Sequence, residues 1–200
     1  MSSKTAKRPV SLAQSAFELF AEHGFDEVTI DDIAARAGVT KGSFYSHYKS
    51  KHEVILAACS HYYRTYQQRV HSEIAPLTDP IARLRRVLEV SVNTCVADKR
   101  NRVFTTEIFA LALKDDEVGK GWAQFYDTVR EIYVGLLLAA EATGQVDIGD
   151  PRRAVDLMLA AMEGIKMRGA FEPHIADADE QQAMVDNLMS IVTSSPEKVT

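Results

Sequence analysis

The sequence predicts an all-α protein, with an N-terminal head of three short helices joined by a long helix to a larger helical body. Apolar residues recur at steps of three and four along most of the chain, which is the period of an amphipathic helix. Glycine or proline stands where several of these periodic runs end. No segment alternates apolar and polar residues as a half-buried strand does, so no sheet is predicted.

The head helices follow one another closely. The first covers about 10–23 and stops at Gly24, because glycine favours the end of a helix. The second begins after Thr29, with two aspartates in its first turn where the helix dipole favours acids, and stops at Gly38. The third covers about 40–48 and begins at a threonine that can cap it.

A long fourth helix, predicted over about 51–73, leads from the head to the body. It ends before "APLTDP", whose two prolines and aspartate mark a turn. The body then continues as periodic runs over about 81–96, 102–113, 118–142, the segment after Pro151 and the segment after Asp177. We therefore expect a head over 1–50, a body over 51–194 and a flexible tail over 195–200.

Composition describes an ordinary folded chain. With 46% hydrophobic and 26% charged residues among 200, it excludes disorder. Apolar runs such as Val134–Ala140 are far shorter than the roughly 20 residues that span a bilayer, and the N-terminus lacks the apolar core of a secretory signal. We therefore expect a cytoplasmic protein with no membrane partner.

No catalytic or metal-binding pattern stands out in the sequence. Cys59 and Cys95 have no metal-ligand or redox spacing and are predicted to be small buried hydrophobes. His52, His61 and His71 fall nine and ten residues apart, which does not cluster them as metal ligands. We predict no cofactor, no metal and no enzymatic activity.

Charge is distributed unevenly along the chain. The net charge is −5, which argues against nucleic acid because non-specific affinity comes from cations that neutralise phosphates. Residues 1–51, however, carry seven Lys or Arg against six Asp or Glu, a sum of +1, and residues 52–200 carry sixteen against twenty-two, a sum of −6. The head is the less acidic part, so a cationic face is possible there.

The stretch "GVTKGSFYSHYKSKHEV", 38–54, carries the clearest functional signal. A short helix, a tight turn at Gly38 and a second short helix with exposed hydroxyls and cations are typical of a helix-turn-helix, whose second helix lies in the DNA major groove. Phe44 points to the opposite side and is expected to fasten this helix to the first two. From spacing alone, a chance pattern or a packing unit remains the alternative.

The segment "SAFELFAEHGFDEVTIDDIAARAGVTKGSFYSHYKSKHEVI", 15–55, resembles the tetracycline-repressor-like (TetR) family. "LFAEHGFDEVT", "IAARAGVTKGSFY" and "HYKSKHEV" follow one another in the order and spacing of that family. The resemblance implies that three helices bind DNA, that the fourth leads to a divergent ligand-binding body, and that the last two helices pair two subunits. One departure is Ser46, where the family usually has a second aromatic residue.

The predicted DNA contacts lie on the third helix and at two neighbouring helix starts. We expect the Lys and Ser side chains to bind base edges or phosphates, and the Tyr and His side chains to bind phosphates. Helix N-termini also offer free N–H groups to phosphates. Some of these residues have helix capping or solvated roles as alternatives. The predicted residues are Thr29, Thr40, Lys41, Gly42, Ser43, Tyr45, His47 and Lys51.

The body is predicted to hold a mostly apolar effector. Its aromatic and methionine side chains suit an adaptable pocket, although each one taken alone is more readily explained as core. The predicted ligand-binding residues are Phe104, Glu107, Ile108, Trp122, Tyr126, Met158 and Met162. Asn93 and Arg102 lie beside the same stripes and are further candidates for polar contacts, with solvated helix flanks as the alternative.

The last two helices are predicted to pair two subunits. Each has an apolar stripe with small residues beside larger ones, which lets helices pack closely. The alternative is that both stripes pack only within their own subunit. The predicted interface residues are Ala161, Ile165, Met184, Leu188 and Ile191.

Taken together, these features predict a homodimeric transcriptional repressor that a small, mostly apolar effector releases from a palindromic operator in double-stranded DNA. The alternative is a helical small-molecule-binding or enzymatic protein whose head has lost DNA binding.

Overall fold

A computed structural model describes residues 3–193, with side chains from Leu12 onward. It confirms the all-α prediction, because residues 3–193 form helices and turns and contain no strand. The predicted tail over 195–200 lies outside the described residues. Within the part of the chain that is described, no helix has the length and apolar character needed to cross a membrane.

The helices are numbered in chain order. Their bounds are α1 Ser3–Glu27, α2 Ile30–Arg36, α3 Lys41–Tyr45, α4 Lys51–Ile74, α5 Pro80–Ser91, α6 Lys99–Ala112, α7 Asp116–Ala142, α8 Pro151–Arg168 and α9 Ala178–Thr193. A π-helical segment, Val92–Ala97, follows α5 directly, and a 3₁₀ turn, Pro173–Ala176, precedes α9. The predicted helix order therefore holds, but α3 is shorter than predicted.

The chain forms two compact units. The first contains the chain up to Gln67 together with Val103–Lys120, and the second contains Gln68–Arg102 together with the chain from Gly121 onward. The first unit thus extends beyond the predicted division after residue 50, because it includes most of α6, whose Phe104 packs against Phe17 of α1.

An aromatic cluster joins α6 to the head helices within the first unit. Phe104 of α6 is fully buried, and its ring centroid lies 4.8 Å from that of Phe17, 5.8 Å from that of Phe25 and 5.7 Å from that of Tyr62. Edge-to-face aromatic pairs at such distances add to the free energy gained by burying apolar area. Phe104 therefore serves as a core residue of the first unit.

The turn after α1 depends on a glycine and on a carboxylate from α6. Gly24 has a φ of +79°, a left-handed conformation that interrupts the helix at the predicted position. The backbone N–H of Phe25 donates to a carboxylate oxygen of Glu107 at 3.2 Å. A side chain at Gly24 would also come within 3.2 Å of Glu107 Oε1, so the carboxylate needs the glycine's small size.

The second unit has an apolar core with one buried polar pair. Leu84 and Leu88 of α5 and Met158 of α8 are fully buried. The Ser91 hydroxyl donates to a backbone carbonyl of its own helix at 2.8 Å and lies 2.8 Å from the Tyr133 hydroxyl, which is then the donor of that second bond. This bond fixes α7 against the end of α5.

The end of the fifth predicted helix departs from α-helical geometry. The sequence predicts one helix over about 81–96, but the structure has α-helix to Ser91 and π-helix over Val92–Ala97. The wider turn closes with a bond from Asp98 N to Asn93 O at 3.1 Å, and Arg102 Nη1 donates to the carbonyls of Val96 and Ala97. Local π-helical turns are rare and frequently lie at functional sites.

Burial of Phe44 gives a stability prediction. Its side chain has no exposed surface, so Phe44→Ala should lower the free energy of unfolding by about 3 kcal/mol or more. Denaturant unfolding followed by circular dichroism measures the change. Tyr45→Ala removes a neighbouring ring that is 48% exposed and should change stability by less than about 1 kcal/mol. Equal effects of both substitutions would contradict the buried role of Phe44.

Candidate nucleic-acid interface

Helices α2 and α3 form a compact helix-turn-helix whose ends are closed by side chains. Thr29 caps α2: its hydroxyl accepts from Asp32 N at 3.2 Å, while its own N–H donates to the Asp32 carboxylate at 2.8 Å. The Thr29 hydroxyl also donates to that carboxylate at 2.6 Å, and this bond is the main reason why the pKa of Asp32 is lowered. Gly38, at a φ of +67°, makes the turn between the helices.

Helix α3 is held by one buried ring and one cap. Thr40 Oγ1 accepts from Ser43 N at 3.1 Å, and Phe44 is fully buried on the inner side, as predicted. The Phe44 ring lies 5.5 Å from that of Tyr45 and 5.8 Å from that of Tyr48. The helix is thereby fixed with its other side open to a partner.

The outer side of α3 presents small and polar groups. Lys41, Gly42 and Tyr45 are exposed, and Ser43 is half-buried. A Cβ added at Gly42 would meet nothing closer than Thr40 Oγ1 at 3.9 Å, and the residue has no left-handed conformation. The fold therefore does not itself require glycine there, which leaves close approach of a partner as its physical advantage.

Lys41 is already paired in the unbound chain. Its ammonium donates to the Asp31 carboxylate at 2.9 Å, and both side chains are more than half exposed. The hydrogen bond from Lys41 to Asp31 is the main reason why the pKa of Lys41 is raised, so this lysine is fully charged at neutral pH. An exposed pair of this kind is weak, so a phosphate or base acceptor competes readily with Asp31.

The other predicted DNA contacts have different surroundings. Thr29 and Thr40 are exposed, but their hydroxyls are used as caps. Lys51 is half-buried, and its ammonium donates to Asp26 O at 3.3 Å. His47 is half-buried beside α3. The structure thus groups all eight predicted residues in one unit, while their individual contacts with DNA stay predictions.

Comparison with known proteins identifies the family. The family model described as "Bacterial regulatory proteins, tetR family" matches residues 12–58, and the model described as "BetI-type transcriptional repressor, C-terminal" matches residues 80–191, more than half of the chain. The chain belongs to the TetR family. It is a DNA-binding transcriptional regulator, as the helix-turn-helix predicted.

One sequence relative and two solved structures are similar to this chain over nearly its whole length. The TetR-family regulator TtgR of Pseudomonas putida is 27% identical over 191 residues, covering 92% of this chain and 91% of TtgR. A putative transcriptional regulator from Saccharomonospora viridis, solved in complex with choline, has the same fold with a TM-score of 0.83 at 16% identity, covering 92% and 96%. A TetR regulator from Haloarcula marismortui has a TM-score of 0.81 at 18% identity, covering 94% and 97%.

The predicted ligand-binding residues are divided between the two units. Phe104, Glu107 and Ile108 lie in the first unit, where the two apolar side chains are fully buried and Glu107 holds the turn after α1. The other four, Trp122, Tyr126, Met158 and Met162, lie in the second unit. Whether these seven residues share one ligand site stays a prediction.

The second unit nevertheless contains an unexpected buried charge. Lys166 is only 3% exposed, forms an ion pair with Glu163, and places its ammonium 5.8 Å from the centre of the Trp122 ring. An ammonium over an indole face gains cation–π attraction, which helps to offset the cost of removing the charge from water. Trp122 therefore packs against a cation rather than against a purely apolar surface.

The predicted interface residues also separate. Met184 and Leu188 are 8% and 1% exposed, so these two face the core of their own subunit and are poorly placed to meet a second copy. Ala161, Ile165 and Ile191 are half-buried. An apolar stripe on one helix does not reveal whether it faces its own core or a partner, and the larger side chains of α9 face the core.

Sequence reasoning missed two contacts of the first unit. It did not foresee that Asp31 would pair with Lys41, although an acid ten residues before a lysine across a short turn is the available signal. It also did not foresee that His52 would meet the carboxylate of Asp115 at 2.7 Å, for which the sequence gives no signal because the two lie 63 residues apart.

The pair of Lys41 and Asp31 gives a prediction of opposite effects. Lys41→Ala should weaken DNA binding by about 1–3 kcal/mol, because it removes a cation from the outer side of α3. Asp31→Asn should strengthen DNA binding by up to about 1 kcal/mol, because Lys41 then does not have to give up an ion pair with a carboxylate before it binds a phosphate. Fluorescence anisotropy with labelled DNA from upstream of the protein's own gene measures both.

Lys99→Ala serves as the matched control, since Lys99 is an exposed lysine in the second unit and should leave DNA affinity unchanged. A loss of affinity equal to that of Lys41→Ala would mean that total charge, not the surface of α3, governs binding.

Proposed function

We propose that this TetR-family regulator is a homodimeric repressor that leaves a palindromic operator when a small molecule binds to it. The observation that carries the proposal is the polar outer side of α3, held in place by the buried ring of Phe44 and the cap at Thr40. A rigid short helix with exposed polar side chains suits the DNA major groove. A single head makes few base contacts, so two heads on a two-fold axis give the specificity that one lacks.

The exposed side of α8 supports the pairing of two subunits. Leu157 is 61% exposed and Met167 is 43% exposed, and Ala160 and Gly164 are exposed between them on the same face. Such a stripe of apolar and small residues is costly to leave in water and suits close packing against an identical stripe. We place the interface here and on the small exposed residues of α9, Ala183, Asn187 and Ser190.

Response to a small molecule has support from a structural relative and from a cavity. The Saccharomonospora viridis regulator was solved in complex with choline. In this chain the second unit has a cavity of about 350 Å³ that is open to solvent and lies in the size range of small-molecule sites. A ligand shifts the regulator between states only by binding one of them more tightly than the other.

The first test is a DNA titration. The protein should bind DNA from upstream of its own gene specifically, and the logarithm of its affinity should fall linearly with the logarithm of salt concentration. A shuffled DNA of the same length is the control. Absence of a complex at low salt, or equal affinity for both DNAs, would contradict the proposed function.

The second test concerns pairing. Leu157→Glu should yield a folded monomer with much weaker operator binding, because pairing would bury an unpaired carboxylate on each subunit. Light scattering reports the mass, and circular dichroism reports the fold.

Leu138→Glu makes the same change at a leucine of α7 that is 49% exposed, and it should remain dimeric. Leu188→Glu should instead lower stability, since Leu188 lies in the core. A Leu157→Glu variant that stays dimeric would move the interface away from α8.

A further inference from the structure

The cavity of the second unit has an apolar floor and a polar rim. Three buried valines, Val90, Val92 and Val185, line it together with polar side chains. The polar lining residues are Arg69, Arg86, Glu89, Asn93, Gln181 and Gln182. Its volume of about 350 Å³ lies near the lower end of small-molecule sites. This combination suits a small molecule with an apolar body and a polar group at one end.

The two arginines of the cavity differ in their partners. Arg86 lies between two carboxylates: its guanidinium donates to Glu73 at 2.7 and 3.1 Å and to Glu89 at 2.9 Å. Arg69 instead donates to two neutral acceptors, Thr94 Oγ1 at 3.0 Å and Asn93 Oδ1 at 3.0 Å. Among the described residues no carboxylate pairs with Arg69, so its charge is available to a ligand.

The π-helical segment orients the Arg69 guanidinium. Thr94 is buried and Asn93 lines the cavity, and these adjacent residues both accept from the same side chain. A guanidinium carries five N–H donors, of which these bonds use two. Three donors therefore remain for a ligand, on a group whose orientation is already fixed.

We propose that this cavity binds a small amphipathic organic anion, with its carboxylate on Arg69 and its apolar body on the three valines. Guanidinium binds carboxylate through paired hydrogen bonds and is strongest where it is held in place beforehand. The amides of Asn93, Gln181 and Gln182 offer further hydrogen bonds at the rim. This proposal names the class of effector, and it rests on the proposed function only for the consequence that the ligand has on DNA binding.

The test compares three probes of similar shape by isothermal titration calorimetry on the full chain without DNA. The probes are 3-phenylpropionate, its amide and 2-phenylethylammonium. The carboxylate should bind once per chain and about tenfold or more tighter than the amide, because its hydrogen bonds with Arg69 join two ionised groups, whereas the amide offers a neutral acceptor. No binding of the carboxylate at millimolar concentration, equal binding of the amide, or preference for the ammonium would overturn the proposal.

Two variants locate the binding site. Arg69→Gln should weaken carboxylate binding about tenfold or more and abolish the preference over the amide. Gln182→Trp should block binding with Arg69 intact, since Gln182 is exposed and its replacement leaves the core unchanged. Arg152→Gln is the matched control, because Arg152 is an exposed arginine that pairs with Glu131 and does not line the cavity. Unchanged affinity in both cavity variants would overturn the site.

DNA titration at saturating carboxylate separates this inference from the proposed function. Reduced operator affinity in the unmodified chain, but not in Arg69→Gln, supports the anion as the effector. Unchanged operator affinity would contradict the effector role, while calorimetry would still decide whether the cavity binds the anion.

Discussion

The predicted DNA-binding surface depends on a helix that would not be stable by itself. Helix α3 has five residues, far fewer than an isolated helix needs to be stable in water. Its position is therefore set by its inner side and its ends: the buried ring of Phe44, the cap at Thr40 and the left-handed turn at Gly38. Because these groups fix the backbone of α3 before DNA binds, the backbone loses little further freedom on binding, and more of the contact energy appears as affinity.

Local charge matters more to this surface than the total. The chain carries a net charge of −5, which by itself would repel DNA. On α3, however, Lys41 forms an ion pair with Asp31, and both side chains are exposed to solvent. The ion pair keeps Lys41 beside the outer side of α3. Asp31 also weakens the attraction of Lys41 for a polyanion that offers no well-placed hydrogen-bond acceptor. The acid can thus favour specific over non-specific binding.

The sequence predicted the fold well because helix ends are local events. Glycine, threonine and proline mark them, and the helix order and the break at Gly24 were found from such signals. Packing partners are not local. Phe104 followed the period of a pocket stripe, yet it is a core residue of the first unit, and Leu188 followed the period of an interface stripe, yet it faces its own core. The period of the sequence indicates which face of a helix is apolar, but only the tertiary structure shows which residues cover that face.

The polar cavity could be read from the sequence only in part, since Asn93 was a candidate while Arg69 was not. The Arg69 guanidinium donates to both Asn93 and Thr94, two adjacent residues of the π-helical segment Val92–Ala97. An anion that uses the remaining donors of Arg69 need not break these two bonds. It would bind best when the guanidinium is docked on the segment, and so it would raise the population of that docked state. Any consequence for DNA binding must come from a difference in ligand affinity between two states of the protein.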